Sequence, residues 1–205
     1  VSGFHLEFRL LAAYRAEPGD FHFDFWGAWL LYRRLEQKIR RVVIGETMFS
    51  KITKVNPIGK WVIVTGCDSG FGYEVTLKLV RQGFGVIAGC LSEVGQQKLV
   101  EASSHPERLR VLQCDVTKSE DLDELVSEAN KVSGGSLWGL INNAGIVRPG
   151  HADYQSMENY RQVMEVNYFA VVALTTRCMP MLKSGRGRVV NITSTCGIVA
   201  VPTNA

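Results

Sequence analysis

From Lys60 onward the chain alternates short apolar runs with longer stretches whose apolar residues recur at helical intervals. Trp61 to Thr65 reads as a short buried strand. Val75, Leu77, Leu79 and Val80 mark a helix over Gly72 to Gln82, and Gly83 is placed to end it. Phe84 to Cys90 predicts a second strand, Val94 to Ala102 a second helix, and Leu109 to Cys114 a third strand. Thr117 and Glu120 have capping-box spacing ahead of Leu122, Leu125, Val126 and Ala129, and Gly134-Gly135 ends that helix. Leu137 to Ile141 gives a fourth strand, Ser156 begins a long helix through about Leu182, and Arg188 to Ile192 gives a fifth strand. Such an alternation predicts right-handed crossovers and a parallel sheet covered on both faces. The fold class is α/β with a doubly wound sheet.

Residues 1–58 lack this tight alternation and are punctuated by Pro18-Gly19-Asp20 and Asn56-Pro57-Ile58-Gly59. They read as a helical appendage ending in a linker, leaving 59–205 as the principal domain. With 205 residues and 46% apolar content the chain suits one buried core rather than two. A formal charge of +3 is far from the basic stripe of a nucleic-acid binder, so no nucleic-acid partner is expected. Most of the excess is local, in Arg33, Arg34, Lys38, Arg40 and Arg41.

The preceding run, Phe23 to Tyr32, is too short to span a bilayer, which needs roughly 20 apolar residues. It suits either a surface helix or an interfacial segment, with Trp26, Trp29 and Leu30 facing lipid and the arginines facing headgroups. Asp20, Asp24 and Glu36 argue against a remnant of a mitochondrial transit peptide. Cys67, Cys90, Cys114, Cys178 and Cys196 show no C-x-x-C spacing, which points to reduced thiols in an intracellular protein and to no metal site.

Thr65-Gly66-Cys67-Asp68-Ser69-Gly70-Phe71-Gly72 follows the first strand directly and opens the first helix. Gly66 permits a tight turn, Gly70 lets backbone approach a pyrophosphate, and Gly72 allows close packing of helix on strand. The helix N-terminus then offers unpaired N–H groups and partial positive charge to phosphates. Asn142-Asn143-Ala144-Gly145 ends the fourth strand, at the edge where open α/β sheets hold ligands. Taken alone, it reads more readily as an Asn–Gly loop.

Together the glycine turn, Asp115, Asn142-Asn143-Ala144-Gly145, Val166-Asn167 and Gly187-Arg188-Val189-Val190-Asn191-Ile192-Thr193-Ser194 resemble the short-chain dehydrogenase/reductase family in order and spacing. Ala88-Gly89-Cys90-Leu91 and Leu137-Trp138-Gly139-Leu140 are similar to one branch, that of retinol dehydrogenases, type 2 hydroxysteroid dehydrogenases and mitochondrial D-3-hydroxybutyrate dehydrogenase. The resemblance implies a Rossmann-like fold and a set of roles. Gly66, Gly70, Phe71 and Gly72 would form the pyrophosphate turn. Asp115 would accept from the adenine amino group, with Val116 beside the ring, and Asn143, Ala144 and Gly145 would flank the adenosine ribose. Asn167 would interrupt the long helix and hold a water in a proton relay, and Ser194 would hydrogen-bond the substrate oxygen. For Asn167 the plainer role is a mid-helix amide satisfied by backbone, and for Ser194 a strand-end cap.

Family members place an acid at the end of the second strand for the ribose hydroxyls, or a nearby arginine for a 2′-phosphate. Cys90, Leu91 and Ser92 meet neither rule. Asp68, beside Ser69 in the glycine turn, and Glu93 close by bring two carboxylates and no cation, which favours NAD over NADP. The resemblance implies, by the family's spacing, that its general acid/base tyrosine and the lysine four residues later fall just past Ala205; Tyr154, Tyr160 and Tyr168 begin no Tyr-x-x-x-Lys pattern. The domain is therefore expected to be incomplete on its C-terminal side, the fifth strand an exposed edge, and these 205 residues inactive and prone to aggregate.

The implied activity is interconversion of a small lipophilic secondary or allylic alcohol, or a hydroxy acid, and its carbonyl compound. The alternative is a non-catalytic nucleotide-binding or interaction protein. A homo-oligomer is expected for a longer parent, through its fourth and fifth helices, and is doubtful for this segment. The appendage suits association with a membrane surface, at the endoplasmic reticulum or the mitochondrion.

Overall fold

A computed structural model describes residues 55–194. The chain divides into two units, Val1–Val55 and Asn56–Ala205, so all but one of the described residues belong to the second. The Phe23 to Tyr32 run, the basic cluster after it and Cys196 lie outside the described residues.

Five strands form one parallel sheet: β1 (Trp61–Thr65), β2 (Gly85–Cys90), β3 (Leu109–Gln113), β4 (Leu137–Asn142) and β5 (Arg188–Asn191). Their spatial order is β3-β2-β1-β4-β5. The chain thus winds outward from β1 to one edge, returns, and continues from β4 to the other. The reversal between β1 and β4 opens a crevice at their carboxyl ends, where loops of the two halves diverge.

Alternation along the strands decides which face each side chain covers. In β1, Val62 and Val64 join Val86, Ala88 and Cys90 in one core, while Ile63 joins Ile87, Leu137 and Leu140 in the other. Helices α1 (Gly70–Arg81) and α2 (Glu93–Ala102) cover the first face through Leu77, Val80 and Leu99. Helices α3 (Ser119–Ser133) and α5 (Ala170–Ser184) cover the second through Leu122, Leu125, Leu174 and Cys178. Each fully buried Leu or Ile contributes about 1.5–3 kcal/mol relative to exposure, so the two cores hold the sheet between its helices. At the β5 edge, Val189, Val190 and Ile192 are exposed.

The expected elements are present with ends shifted by a residue or two, apart from two local differences. Thr117 makes no capping box with Glu120. Its amide and hydroxyl both donate to Asp115 Oδ1, at 3.0 and 2.7 Å, and the helix begins at Ser119 after an N-cap at Lys118. Asp121 in the first turn accepts instead from the Asp115 amide at 2.8 Å, because a carboxylate there reaches back to an amide the strand end leaves unpaired. The long helix is also not continuous: α4 (Met157–Met164) passes into one turn of π-helix at Glu165–Phe169 before α5. Gly83, with φ +96°, follows α1 as expected of a C-terminal glycine.

Candidate active site

Two strand ends are tied together at the crevice. The Thr65 hydroxyl accepts from the amides of Asn143 and Ala144, each at 3.1 Å, and the Asn143 side-chain amide donates to the carbonyls of Thr65 and Gly66 at 2.9 and 3.0 Å. These bonds satisfy groups that would otherwise be orphaned where β1 and β4 stop pairing. The approach is close enough to require glycine. A Cβ on Gly66 (φ +68°) would lie 2.8 Å from Ala144 Cα, and one on Gly72 would overlap the Gly66 carbonyl oxygen and come within 2.5 Å of Asn143 Nδ2. Gly70, with φ +61°, has open space at its Cβ position.

The first turn of α1 carries no acidic residue, and its N-cap, Ser69, makes no side-chain capping bond. Neither a side-chain cap nor an acid of its own first turn therefore occupies the positive end of this 12-residue helix at the crevice. A neighbouring loop is pinned differently. Asp68 Oδ2 accepts from the Leu91 amide at 2.8 Å, and Oδ1 accepts from the Ser92 amide at 2.8 Å and the Ser92 hydroxyl at 2.7 Å. Burial works to raise the Asp68 pKa, but the bonds from Leu91 and Ser92 outweigh it and hold the carboxyl below the usual carboxylate range.

Between these loops lies a cleft of about 460 Å³, in the size range of cofactor pockets. Of the residues picked out as cofactor contacts, Gly66, Asp68, Ser69, Leu91, Asp115, Val116, Asn143, Ala144 and Gly145 line it. Gly70, Phe71 and Gly72 lie in the helix that opens at its margin, and Phe71 is exposed. Cys90 does not line the cleft. It is fully buried in the α1–α2 core, because its side chain falls with Val86 and Ala88 on the face of β2 that those helices cover, and burial, Asp68 and Cys114 push its thiol up to about 12.

Ser92, Cys114, Ile146 and Val166 complete the wall and were missed from sequence. Ser92 had a readable signal, its N-cap position two residues past β2, whereas Val166 arrives only through the packing of a distant helix.

Asn167 sits in the π turn. Its Oδ1 accepts from the Ile146 amide at 2.9 Å and its Nδ2 donates to the Ile146 carbonyl at 2.8 Å, so it is satisfied by the loop after β4 rather than by its own helix. Such π turns recur at functional sites because the extra residue re-aims a side chain. Ser194 is exposed and lies three residues beyond β5, past the same carboxyl edge of the sheet.

A family model described as short chain dehydrogenase matches residues 60–205. The chain is 42% identical over 165 residues to D-beta-hydroxybutyrate dehydrogenase, mitochondrial, of Bos taurus, covering 78% of this chain and 47% of that protein. It is 40% identical over 145 residues to 17-beta-hydroxysteroid dehydrogenase type 6 of Bos taurus, covering 69% of this chain and 44% of the relative. Retinol dehydrogenase 7 of Rattus norvegicus is 41% identical over 142 residues, 67% of this chain and 44% of its own length. A crystal structure of a short-chain dehydrogenase from Streptomyces avermitilis superimposes with a TM-score of 0.64 at 30% identity, covering 70% of this chain and 52% of that one. The chain spans less than half the length of these curated relatives. By motif, fold and relatives alike, it belongs to the short-chain dehydrogenase/reductase family of oxidoreductases.

Proposed function

We propose that this domain binds NAD across the carboxyl ends of β1 to β4 and forms the cofactor half of an alcohol dehydrogenase. The carrying observation is the uncapped N-terminus of α1 at the margin of a cleft whose floor only glycine fits. The pyrophosphate would rest on the Gly66, Gly70, Phe71 and Gly72 turn, where backbone N–H groups and the helix dipole favour negative charge. Asp115 and Val116 would receive the adenine, and Asn143, Ala144 and Gly145 would flank the adjoining ribose. When bound, NAD supplies a hydride acceptor. Ser194 would orient the substrate oxygen and Asn167 a proton-relay water. Asp68 and Asp115 bring negative charge to the cleft wall, and no lysine or arginine lines it, which favours NAD over NADP.

The substrate class follows the names of the relatives: a hydroxybutyrate, a hydroxysteroid or a retinol, each an alcohol with a carbonyl counterpart. A mitochondrial location is carried by the name of the Bos taurus hydroxybutyrate dehydrogenase; nothing in the comparisons favours the endoplasmic reticulum. No helix of the described residues is long and apolar enough to cross a membrane. Residues 1–58 are read as an appendage to the 59–205 domain. Tyr168, Phe169, Val172 and Met179 expose apolar surface along the π turn and α5, which suits a homo-oligomer contact in a longer parent.

NADH fluorescence titration of the 205-residue chain tests the binding half. Saturable binding that AMP competes away is expected, and its absence would overturn the proposal. Turnover of a secondary alcohol is expected only from a parent that adds Tyr-x-x-x-Lys. Binding without turnover in that parent would favour the non-catalytic reading.

A further inference from the structure

We propose that the amino edge of the sheet, at the opposite end of the domain from the cleft, docks on a bilayer surface of anionic headgroups and holds the cleft toward water. The surface belongs to the folded unit, and the inference does not depend on the dinucleotide reading.

In a parallel sheet every strand starts at this edge and every crossover helix ends there. The helix ends are basic. Lys78 and Arg81 lie in the last turn of α1, Lys131 in that of α3 and Lys183 in that of α5. Cations at helix C-termini complement the helix dipole, so these alone would call for no partner. The strand starts add charge that the dipole does not explain. Lys60 precedes β1, Arg110 is the second residue of β3 and Arg188 opens β5, while Arg108 and Arg186 stand in the turns before β3 and β5.

Much of this charge stays available. Glu107 pairs with Arg108 at 3.6 Å and with His105 at 3.4 Å, and Glu128 lies 3.6 Å from Arg110 and 3.7 Å from Lys131. Among the described residues no acid pairs with Lys60, Arg81, Lys183, Arg186 or Arg188. Arg188 and Lys60 are held instead over the Trp138 ring, 4.5 and 5.1 Å from its centroid, which fixes a cation without cancelling its charge. Arg186 has φ +47°, a conformation that disfavours any side chain, yet an arginine stands there between Gly185 and Gly187. Backbone strain kept at an exposed cation points to a use for that cation.

Ile58, 80% exposed, is at the tip of the turn that leads into the same edge, closed by the Lys60 amide donating to the Pro57 carbonyl at 3.0 Å. A Cβ on Gly83 would lie 3.0 Å from Pro57 Cγ and 3.8 Å from Arg108 Nη1, so this turn sits among the cations.

The two ends of the domain are thus opposite in sign. At the carboxyl edge the first turns of α2 and α3 carry Glu93, Glu120 and Asp121, and the cleft wall carries Asp68 and Asp115. An anionic plane attracts one edge and repels the other. The cations come from helices on both faces of the sheet and from the strand starts between them. That spread over an end face suits a plane better than the stripe a nucleic acid requires, and Ile58 adds an apolar contact at headgroup depth.

The test is partition of the 205-residue chain onto vesicles of phosphatidylcholine, alone or with phosphatidylserine, read by co-sedimentation. Wild type is expected to partition onto the mixed vesicles only, and to be released as salt screens the surface. Each cation near an anionic surface is worth about fivefold in partition, so Lys60→Gln with Arg186→Asn and Arg188→Gln is expected to lower it by about tenfold or more. A second triple, Lys78→Gln with Arg81→Gln and Lys183→Gln, touches no aromatic ring and reads the same loss if the first does not fold. Lys118→Gln with Arg148→Gln and Arg161→Gln removes equal charge away from the amino edge and is expected to leave partition within about threefold.

Wild type that ignores phosphatidylserine would overturn the inference. So would full partition in both amino-edge triples, or a loss in the third triple as large as in the first two. Loss confined to a variant with Arg33, Arg34, Arg40 and Arg41 all changed to Gln would assign the contact to the basic cluster ahead of the domain and overturn it too. Binding of single-stranded RNA without partition onto vesicles would give the edge to a nucleic acid instead.

Discussion

A carboxylate that accepts three hydrogen bonds is held in its charged form, and Asp68 does so at a place where burial alone would favour the neutral one. Its folded pKa is therefore below its unfolded value of about 3.9. The sign follows from linkage: the stabilisation is fully present above the unfolded value and is lost as pH falls through the folded one. Thermal melts taken from neutral pH down through that acid range are expected to show a steeper loss in wild type than in Asp68→Asn. Parallel acid limbs would remove Asp68 from the account. The thiols behave oppositely. Burial raises Cys90, Cys114 and Cys178 to about 12, with Asp121, Asp115 and Glu124 adding to the effect at Cys114. Native protein treated with iodoacetamide near neutral pH is expected to remain unmodified at all three, as read by peptide mass spectrometry. Thiolate is the reacting form and is scarce there, even though Cys114 borders the cleft.

At the scale of elements, the contacts that join strand ends matter more than the strands' own propensities. Asn143→Ala removes the donor that serves both Thr65 and Gly66 carbonyls between β4 and β1. Leaving partly buried carbonyls unpaired costs about 1–3 kcal/mol, so a lowered denaturant midpoint with unchanged slope is expected, together with weaker NADH binding. Gly95→Ala makes a sharper contrast. Helix propensity alone predicts a gain of about 1 kcal/mol for Gly to Ala. The Cβ would instead collide with Asp68 backbone and carboxylate, so α2 or the glycine turn must shift and the net effect is expected to be destabilising. A rise in midpoint for this variant would show that the two loops are less tightly joined than the geometry requires. The boundary of α3 carries a related lesson: Thr117 has the spacing of a cap, but the Asp115 carboxylate lies two residues away and takes its hydroxyl first.

For the whole molecule, the cleft is assembled from residues that follow β1, β2, β3 and β4 and from Val166 in the π turn, so its integrity reports on the sheet as a unit. A ligand that binds only this assembled form stabilises it by mass action, by about 2.7 kcal/mol at a hundred times its dissociation constant. NADH at that ratio is expected to raise the melting temperature. The Gly72→Ala variant, whose Cβ overlaps the Gly66 carbonyl, is expected to melt lower and to lose most of that rise. A full NADH-induced shift in Gly72→Ala would place the binding elsewhere.

The order of elements, the doubly wound sheet and most of the cleft's lining were legible in the residues themselves. Strand and helix periods differ, glycine marks turns that no other residue makes, and the carboxyl edge of a parallel sheet is a fixed place for a site. Nine of the residues assigned to cofactor contact are in the wall for that reason. Cys90 was not separable from Leu91 by pattern, because the sheet is covered on both faces and β2 is buried along its whole length through Cys90, so the first exposed position is set by where the strand's pairing ends. The capture of the β2–α2 donors by Asp68, 23 and 24 residues away in sequence, and the clamp of Asn167 on Ile146, 21 residues away, are long-range bonds. Local sequence sets which groups exist to make such bonds; the packing of two loops against one helix end decides which of them meet.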